Sequence, residues 1–276
     1  MPFLNSHPSS WNFNIDAHMN PFLRPPPWSV IPYPIAHFLG YRRPSTPGSG
    51  SRLGDDSQLG NIPKIFWAAI GSFTSLSIIA LVSHHIPLFR ENGAPVIIGS
   101  FGAAAVLEFY SITSPLAQPR NAILSQLIAS LTGVCINKLF SLSSDPYRLV
   151  GGALACALSI MFMALTNTVH PPAGATALLA VTDEHAVELG WLLVPLMMLG
   201  CAIMLSVALL VDNVQRRFPL YWWTDVELPA SRGGGGESGR SIRAGDEEQG
   251  VCGEVERKDE DSSGDDAPFG QHIETI

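Results

Sequence analysis

His170 and its neighbours are the place in this chain where residue types and spacing most clearly suggest chemistry. Val169 to Ala180 reads VHPPAGATALLA, and it closes a run of 21 uncharged residues, Leu149 to Val169. An ionisable imidazole, two prolines and several small residues therefore arrive together at the end of an apolar segment. Pro171 and Pro172 remove two backbone donors and break a helix. A helix broken in an apolar medium leaves carbonyls and amides that protein, water or a solute must satisfy. If a helix restarts near Pro172, its first free N–H groups come from Ala173, Gly174 and Ala175, whose small side chains let an anion approach the positive end of the dipole. Asn167 adds a side-chain amide and Thr176 a hydroxyl. The competing reading makes His170 an interfacial histidine and the prolines a turn.

A second group lies upstream in SPLAQPRN, residues 114–121, where Gln118, Arg120 and Asn121 offer amides and a guanidinium able to hold an anion bidentately. Arg120 in its plainer role anchors the start of a helix. Glu108 is the one carboxylate inside an apolar segment, and an acid at membrane depth either pairs or serves a pathway. Two residues before Tyr110, it also suits a headgroup-level position. Other chemistries find no support. No nucleophile stands beside a base, so enzyme activity is not expected. His84 and His85 with Glu91 are not spaced as a metal cluster, because adjacent helical residues point about 100° apart. The four cysteines, Cys135, Cys156, Cys201 and Cys252, show no short spacing and suggest neither disulfides nor zinc. No phosphate-binding loop is present and no cofactor is expected.

These residues are carried by apolar runs. Ile65 to Val82, Asn121 to Asn137, Leu149 to Val169 and Leu189 to Val211 are uncharged and contain 17 to 23 residues each. At about 1.5 Å per residue each covers the roughly 30 Å of bilayer hydrocarbon. Two shorter segments, Ala94 to Tyr110 and Pro171 to Thr182, are rich in small residues. Gly102 to Leu107 (GAAAVL) matches Gly174 to Leu179 (GATALL), so the chain reads long, short, long, twice over. Short Gly/Pro-interrupted segments in corresponding halves point to a transport site. Gly151 and Gly152 with Ala155 and Cys156, and Gly99 with Gly102, predict close helix packing.

Charge sets the expected topology. If the short segments re-enter, one side receives Lys64, Lys138, Arg148, Arg216 and Arg217 against Arg90 and Arg120; if they cross, the ratio falls to four against three. The fold class expected is therefore an all-α multi-pass transmembrane bundle with four full spans and two short helices, re-entrant in preference to spanning. Both termini are expected in the cytosol. Trp67, Trp191 and Tyr221 to Trp223 suit interfacial belts.

The flanks differ in character. Residues 1–60 contain clustered Pro, Ser and Gly and read as mostly disordered. The apolar domain occupies 61–223, and residues 224–276 read as a disordered acidic tail that accounts for the whole formal charge of −8. Nothing is basic enough for nucleic acid. The opening residues lack a signal peptide's basic and apolar regions. The expected partners are the lipid bilayer and a small solute, and a homo-oligomer is compatible with the chain without being dictated by it.

The string Val169 to Ala180, together with Ser114 to Asn121 and the preceding Gly-Ala run, resembles the two signature motifs of the HPP family of integral membrane proteins, with the long tails of a fungal-type member. The resemblance covers roughly residues 60 to 223. It implies a compact multi-pass protein with four transmembrane helices, and some plastid and cyanobacterial relatives are associated with nitrite transport. Glu108 departs from bacterial members, which are apolar there, and a carboxylate near the pathway opposes an anion. The expected function is a transporter or channel for a small solute, an inorganic anion such as nitrite first, at a site where the two short segments meet. The alternative is a non-transporting membrane scaffold whose acidic tail recruits partners.

Overall fold

A computed structural model describes residues 13–42 apart from 24, 25, 27 and 29, residues 59–140 apart from 96, and residues 145–224, with backbone alone for 22 and 145–149. The described residues form helices and no strand. Two short helices, α1 (Asp16–Met19) and α2 (Tyr33–Phe38), precede the long α3 (Asn61–His85). Then follow α4 (Pro87–Glu91), α5 (Ser100–Ala105) continued by a π-helical turn over Val106–Tyr110, α6 (Pro119–Phe140), α7 (Asp145–Leu165), α8 (Pro171–Thr182), α9 (Glu184–Leu189) and α10 (Leu193–Val211). The acidic tail beyond residue 224, with Cys252, lies outside the described residues.

Local chemistry sets these boundaries. Prolines stand at the first position of α4, α6 and α8, where a missing N–H costs no intrahelical bond. Asp183 caps α9 by accepting the Ala186 N–H at 2.9 Å. Helix α7 ends in a Schellman motif: the Thr168 N–H reaches Met163 O at 2.9 Å, the Asn167 N–H reaches Ala164 O at 3.2 Å, and Asn167 adopts a φ of 53°. Asparagine is among the few residues other than glycine that take this conformation readily.

Three helical stretches are long and apolar enough to cross a membrane: Asn61–His85, Pro119–Phe140 and Glu184–Val211, the last running from α9 through α10. The fourth run expected to span falls in α7, whose apolar portion, Val150–Leu165, is shorter. Large apolar side chains face outward, among them Ile65, Phe66 and Phe73 on α3 and Ile160, Met161 and Phe162 on α7. Such a surface is suited to lipid rather than water.

The direction of each element follows from which residues share an end. At one end, called the first, Trp67 near the start of α3 donates to Gln215 just after α10, at 2.8 Å. Gln118 and Arg120, before and at the start of α6, meet Leu220 and Trp223 there. At the opposite end Gly93 lies against Glu188, and Gly190 against the Lys138 ammonium near the end of α6. The segment from Gly93 to Gln118 therefore runs from the second end to the first, and α8 runs from its start near Leu116 back to the second. Six segments alternate in direction, and the two halves have inverted topology. This corrects the preference for re-entrant short segments. The charge count behind that preference treated Arg120 as freely assignable, whereas it is fixed at the first end by a buried network.

Each short helix is wedged between two long ones, with a glycine on each long helix making room. A Cβ at Gly71 of α3 would lie 2.2 Å from the Phe109 ring, and one at Gly200 of α10 would lie 2.1 Å from Phe101, both in the first short segment. In the second, a Cβ at Gly133 of α6 would lie 2.5 Å from Ala180, and one at Gly152 of α7 would lie 2.7 Å from Thr182. The long helices that clamp one short segment thus come from different halves. Gly152 packs closely as the sequence suggests. Gly99 and Gly102 do not, because a Cβ at either would meet nothing within 4 Å.

Within the stretch 1–60 that reads as mostly disordered, residues 33–42 dock on the end of α10. His37 Nε2 donates to Asn213 O at 3.0 Å, and the Arg42 guanidinium donates to His37 O, Asn213 Oδ1 and Arg216 O at 2.8, 3.0 and 2.7 Å. The Asn213 amide donates in turn to Phe38 O and Leu209 O, both at 3.0 Å. Trp222 Nε1 donates to Leu39 O at 3.0 Å. Gly40, at a φ of 88°, allows Pro219 O to approach where a Cβ would stand 2.5 Å away.

The glycine wedge gives an opposed pair of outcomes. Alanine in a helix interior gains about 1 kcal/mol over glycine in propensity, whereas overpacking a filled interface costs about 1–3 kcal/mol. Gly133→Ala, pressed between Ala180 Cβ and the Ala177 carbonyl, lowers the thermal midpoint in detergent. Gly102→Ala, which meets nothing, leaves it unchanged or raises it, as read by tryptophan fluorescence.

Candidate functional site at the junction of the short helices

The two short helices meet through hydroxyls. The Thr176 hydroxyl of α8 lies 2.7 Å from Gln126 Oε1 on α6 and 2.8 Å from the Ser100 hydroxyl that opens α5. One hydroxyl proton cannot serve both neighbours. Thr176 donates to the Gln126 carbonyl oxygen, and Ser100 donates to Thr176. All three residues are at most 1% exposed. Gln126 Nε2 is buried and has no hydrogen-bond partner, and on α7 the buried Ser159 hydroxyl is also unpartnered. Counted along their helices at 1.5 Å per residue, Gln126, Ser159 and Thr176 sit at similar depths, about 8–10 Å from the first end. The interior of this apolar bundle is therefore polar at this depth, with an amide donor left open.

His170 stands at the N-cap of α8, 1% exposed. Its Nδ1 lies 2.9 Å from Leu116 O, and a carbonyl only accepts, so Nδ1 carries the proton. In the neutral ring Nε2 then presents a lone pair; it is buried and without a partner. One of the three amides expected to be free is engaged. Pro171 and Pro172 occupy the first two helical positions and have no N–H, and the Ala173 N–H is bonded to His170 O at 2.9 Å. Gly174 contributes close packing, with the Cys156 sulfur 3.7 Å from where its Cβ would be.

The remaining sequence-predicted residues gather at the first end. Gln118 is fully engaged: its amide donates to Ile112 O and Ser114 O, each at 3.0 Å, and its Oε1 accepts the Leu220 N–H at 2.9 Å. It ties loops together and has no group left for a solute. Asn121 donates to Pro115 O at 3.0 Å and Val169 O at 3.3 Å. Arg120 donates through Nη2 to Asp16 Oδ1 at 2.6 Å and Thr166 O at 2.9 Å, and through Nη1 to Trp223 O at 3.1 Å. Its guanidinium carbon lies 4.8 Å from the Trp223 ring centroid. Asn167 Nδ2 donates to the other Asp16 oxygen at 2.6 Å. Glu108 lies in the π-helical turn, 3% exposed, with Oε2 unpartnered. The next residue, Phe109, gives its carbonyl to Arg216 Nη1 at 2.7 Å, and Arg216 is paired with Asp212 in a bridge closed to solvent.

Ser100, Gln126 and Asp16 were not singled out in the sequence. Ser100 stands two residues before the repeated Gly-Ala string, just as Pro172 stands two before its counterpart, so the repeat itself marks the position. Gln126 is a lone long polar side chain within an apolar run, a signal available from the composition of α6. Asp16 gave no such signal, being one acid in a Pro- and Asn-rich stretch.

An all-helical bundle with apolar outer faces, helices of spanning length and a buried polar centre is an integral membrane protein. The family model of the HPP transmembrane region matches residues 57–219, and the chain belongs to that family. A transmembrane protein of Dictyostelium discoideum is 39% identical over 170 residues, covering 59% of this chain and 57% of its own length. A second transmembrane protein of the same organism is 34% identical over 167 residues, covering 59% and 52%. The chain thus spans a little over half the length of the curated relatives it matches. No solved structure matches it.

The junction can be tested by its hydroxyl. Thr176→Val strands Gln126 Oε1 and the Ser100 hydroxyl in a buried site, at about 1–3 kcal/mol for a group left unsatisfied. A lowered thermal midpoint is expected for Thr176→Val and largely restored in Thr176→Ser.

Proposed function

We propose that this protein is a transporter for a small solute that passes between the two short helices, and that a small inorganic anion, nitrite first, is the solute to test. The observation that carries the reading is the Ser100–Thr176–Gln126 junction with its open Gln126 amide, at the contact of two inverted halves. In transporters built from inverted repeats the solute site lies at the repeat interface, formed by interrupted helices. An amide N–H pair and adjustable hydroxyls can replace part of an anion's hydration shell without adding a fixed charge. His170 refines the chemistry: because Nδ1 is committed to Leu116 O, Nε2 donates to an anion only after taking up a proton. Contact of an anion with His170 therefore brings a proton with it.

The first end, with both terminal segments, is proposed to face the cytosol. It carries Lys64, Arg120, Arg216 and Arg217, joined by Arg42 of the docked arm, against Arg90, Lys138 and Arg148 at the other end.

The test is a flux screen of small anions and cations with the full chain in proteoliposomes. Nitrite uptake that rises on the acidic side, falls at least tenfold in Thr176→Val and loses its pH dependence in His170→Gln is the expected result. Removal of residues 225–276 leaves that flux intact. Absence of flux for every solute, with the protein folded and inserted, removes the reading; unchanged nitrite flux in Thr176→Val moves the path away from the junction.

A further inference from the structure

The side chain of Asp16 is held as a bound anion would be. Its two oxygens lie 2.6 Å from donors on separate elements, Oδ1 on Arg120 Nη2 at the start of α6 and Oδ2 on Asn167 Nδ2 just past α7. These donors are positioned independently of the carboxylate. Arg120 is fixed by Thr166 O, by Trp223 O and by the Trp223 ring; Asn167 is fixed by the Schellman motif that ends α7. The receiving half of the contact is therefore preorganised. By contrast α1, which carries Asp16, is a helix of four residues with none buried. Asp16 meets Arg120 and Asn167 through its carboxylate.

We infer that Arg120 and Asn167 form a binding site for a planar oxyanion, a carboxylate or an ion of similar shape, and that Asp16 of the same chain is its resident occupant. Two further observations support this. The Arg120 side chain is 5% exposed, and a guanidinium so buried requires a counter-charge; removing Asp16 leaves it unpaired. Its Nε is also buried without a partner, so the guanidinium retains an unused donor. The site borders the loop from Thr166 to His170, and Asn121, next to Arg120, donates to Val169 O beside His170. An anion arriving at the first end meets Asp16 before it meets the junction. The receptor stands on its own geometry; only its role as a gate on flux rests on the transport reading above.

The experiment uses the full chain in nanodiscs, titrated with sodium formate against sodium chloride at matched ionic strength, with tryptophan fluorescence as the readout because Trp223 stacks on Arg120. Asp16→Asn, which keeps the side-chain shape, and Asp16→Ala are compared with the wild type and with Arg120→Gln in each background. Both Asp16 variants are expected to show a saturable, formate-specific change with a half-point at least tenfold below that of the wild type, lost when Arg120 is replaced and absent in Asp16→Asn carrying Trp223→Phe. A folded, monodisperse Asp16→Asn protein that responds to formate no more than to chloride overturns the inference, as does a response that survives Arg120→Gln. Flux in proteoliposomes separates the two readings. Formate binding in Asp16→Asn without transport of any solute retains the receptor and removes the transporter. Transport with identical formate response in Asp16→Asn and wild type does the reverse, and a several-fold rise in nitrite flux in Asp16→Asn supports both.

Discussion

Two helices too short to cross a bilayer alone impose the constraint on which this structure depends. At 1.5 Å per residue α8 reaches about 18 Å, well under the roughly 30 Å of hydrocarbon. The polar groups at its ends must therefore be met by neighbours. The four clamping glycines answer the packing side of this requirement, since only a missing side chain lets a long helix approach closely enough to enclose a short one. The polar side is answered by α6, which buries Arg120, Asn121, Ser125, Gln126, Ser130 and Asn137 along a single helix. Ser125 and Ser130 return their hydroxyl protons to Asn121 O and Gln126 O within the same helix, so that much of this polarity is settled locally. Gln126 reaches across to α8, and Arg120 and Asn121 reach the loop that follows α7.

Much of the architecture was legible in the sequence because hydrophobic run length is read by the same rule that the bilayer applies. The long, short, long repeat, the break at Pro171 and the closeness at Gly152 all follow from local residue types. What failed did so for tertiary reasons. The re-entrant preference rested on counting Arg120 as a free cation. Its partners, Asp16 and Trp223, stand 104 and 103 residues away in the chain, and no local pattern announces them. The Ala173 amide, expected to be free at the start of α8, is instead taken by His170 O. Of the candidate site, Thr176 and His170 lie beside unpartnered buried groups, whereas Gln118 proved to be a tie between loops.

Charge inside the bundle is arranged so that each cation has a fixed neighbour. Arg216 lies between Asp212 and the Phe109 carbonyl, and Arg120 between Asp16 and two further carbonyls. Both arginines use planar, multi-donor geometry that a lysine could not reproduce. Both also join the end of one half to the short segment or helix start of the other, so the electrostatics and the inverted topology reinforce one another. Glu108, one residue from Phe109, is the acid left outside this scheme, with an oxygen unmatched by any donor.

The arm around α2 has a consequence for the order in which the molecule is made. His37 and its acceptor Asn213 are 176 residues apart, and Asn213 follows the last long helix. Residues 33–42 leave the ribosome before any long helix, yet their hydrogen bonds to Asn213, Arg216 and Trp222 wait until α10 has been synthesised and inserted. Through the assembly of the whole bundle the arm has no surface to dock on. Its seating against Asn213 and Pro219 is thus a late event that reports the completion of everything between, and a piece of the chain made before any long helix is among the last to find its place.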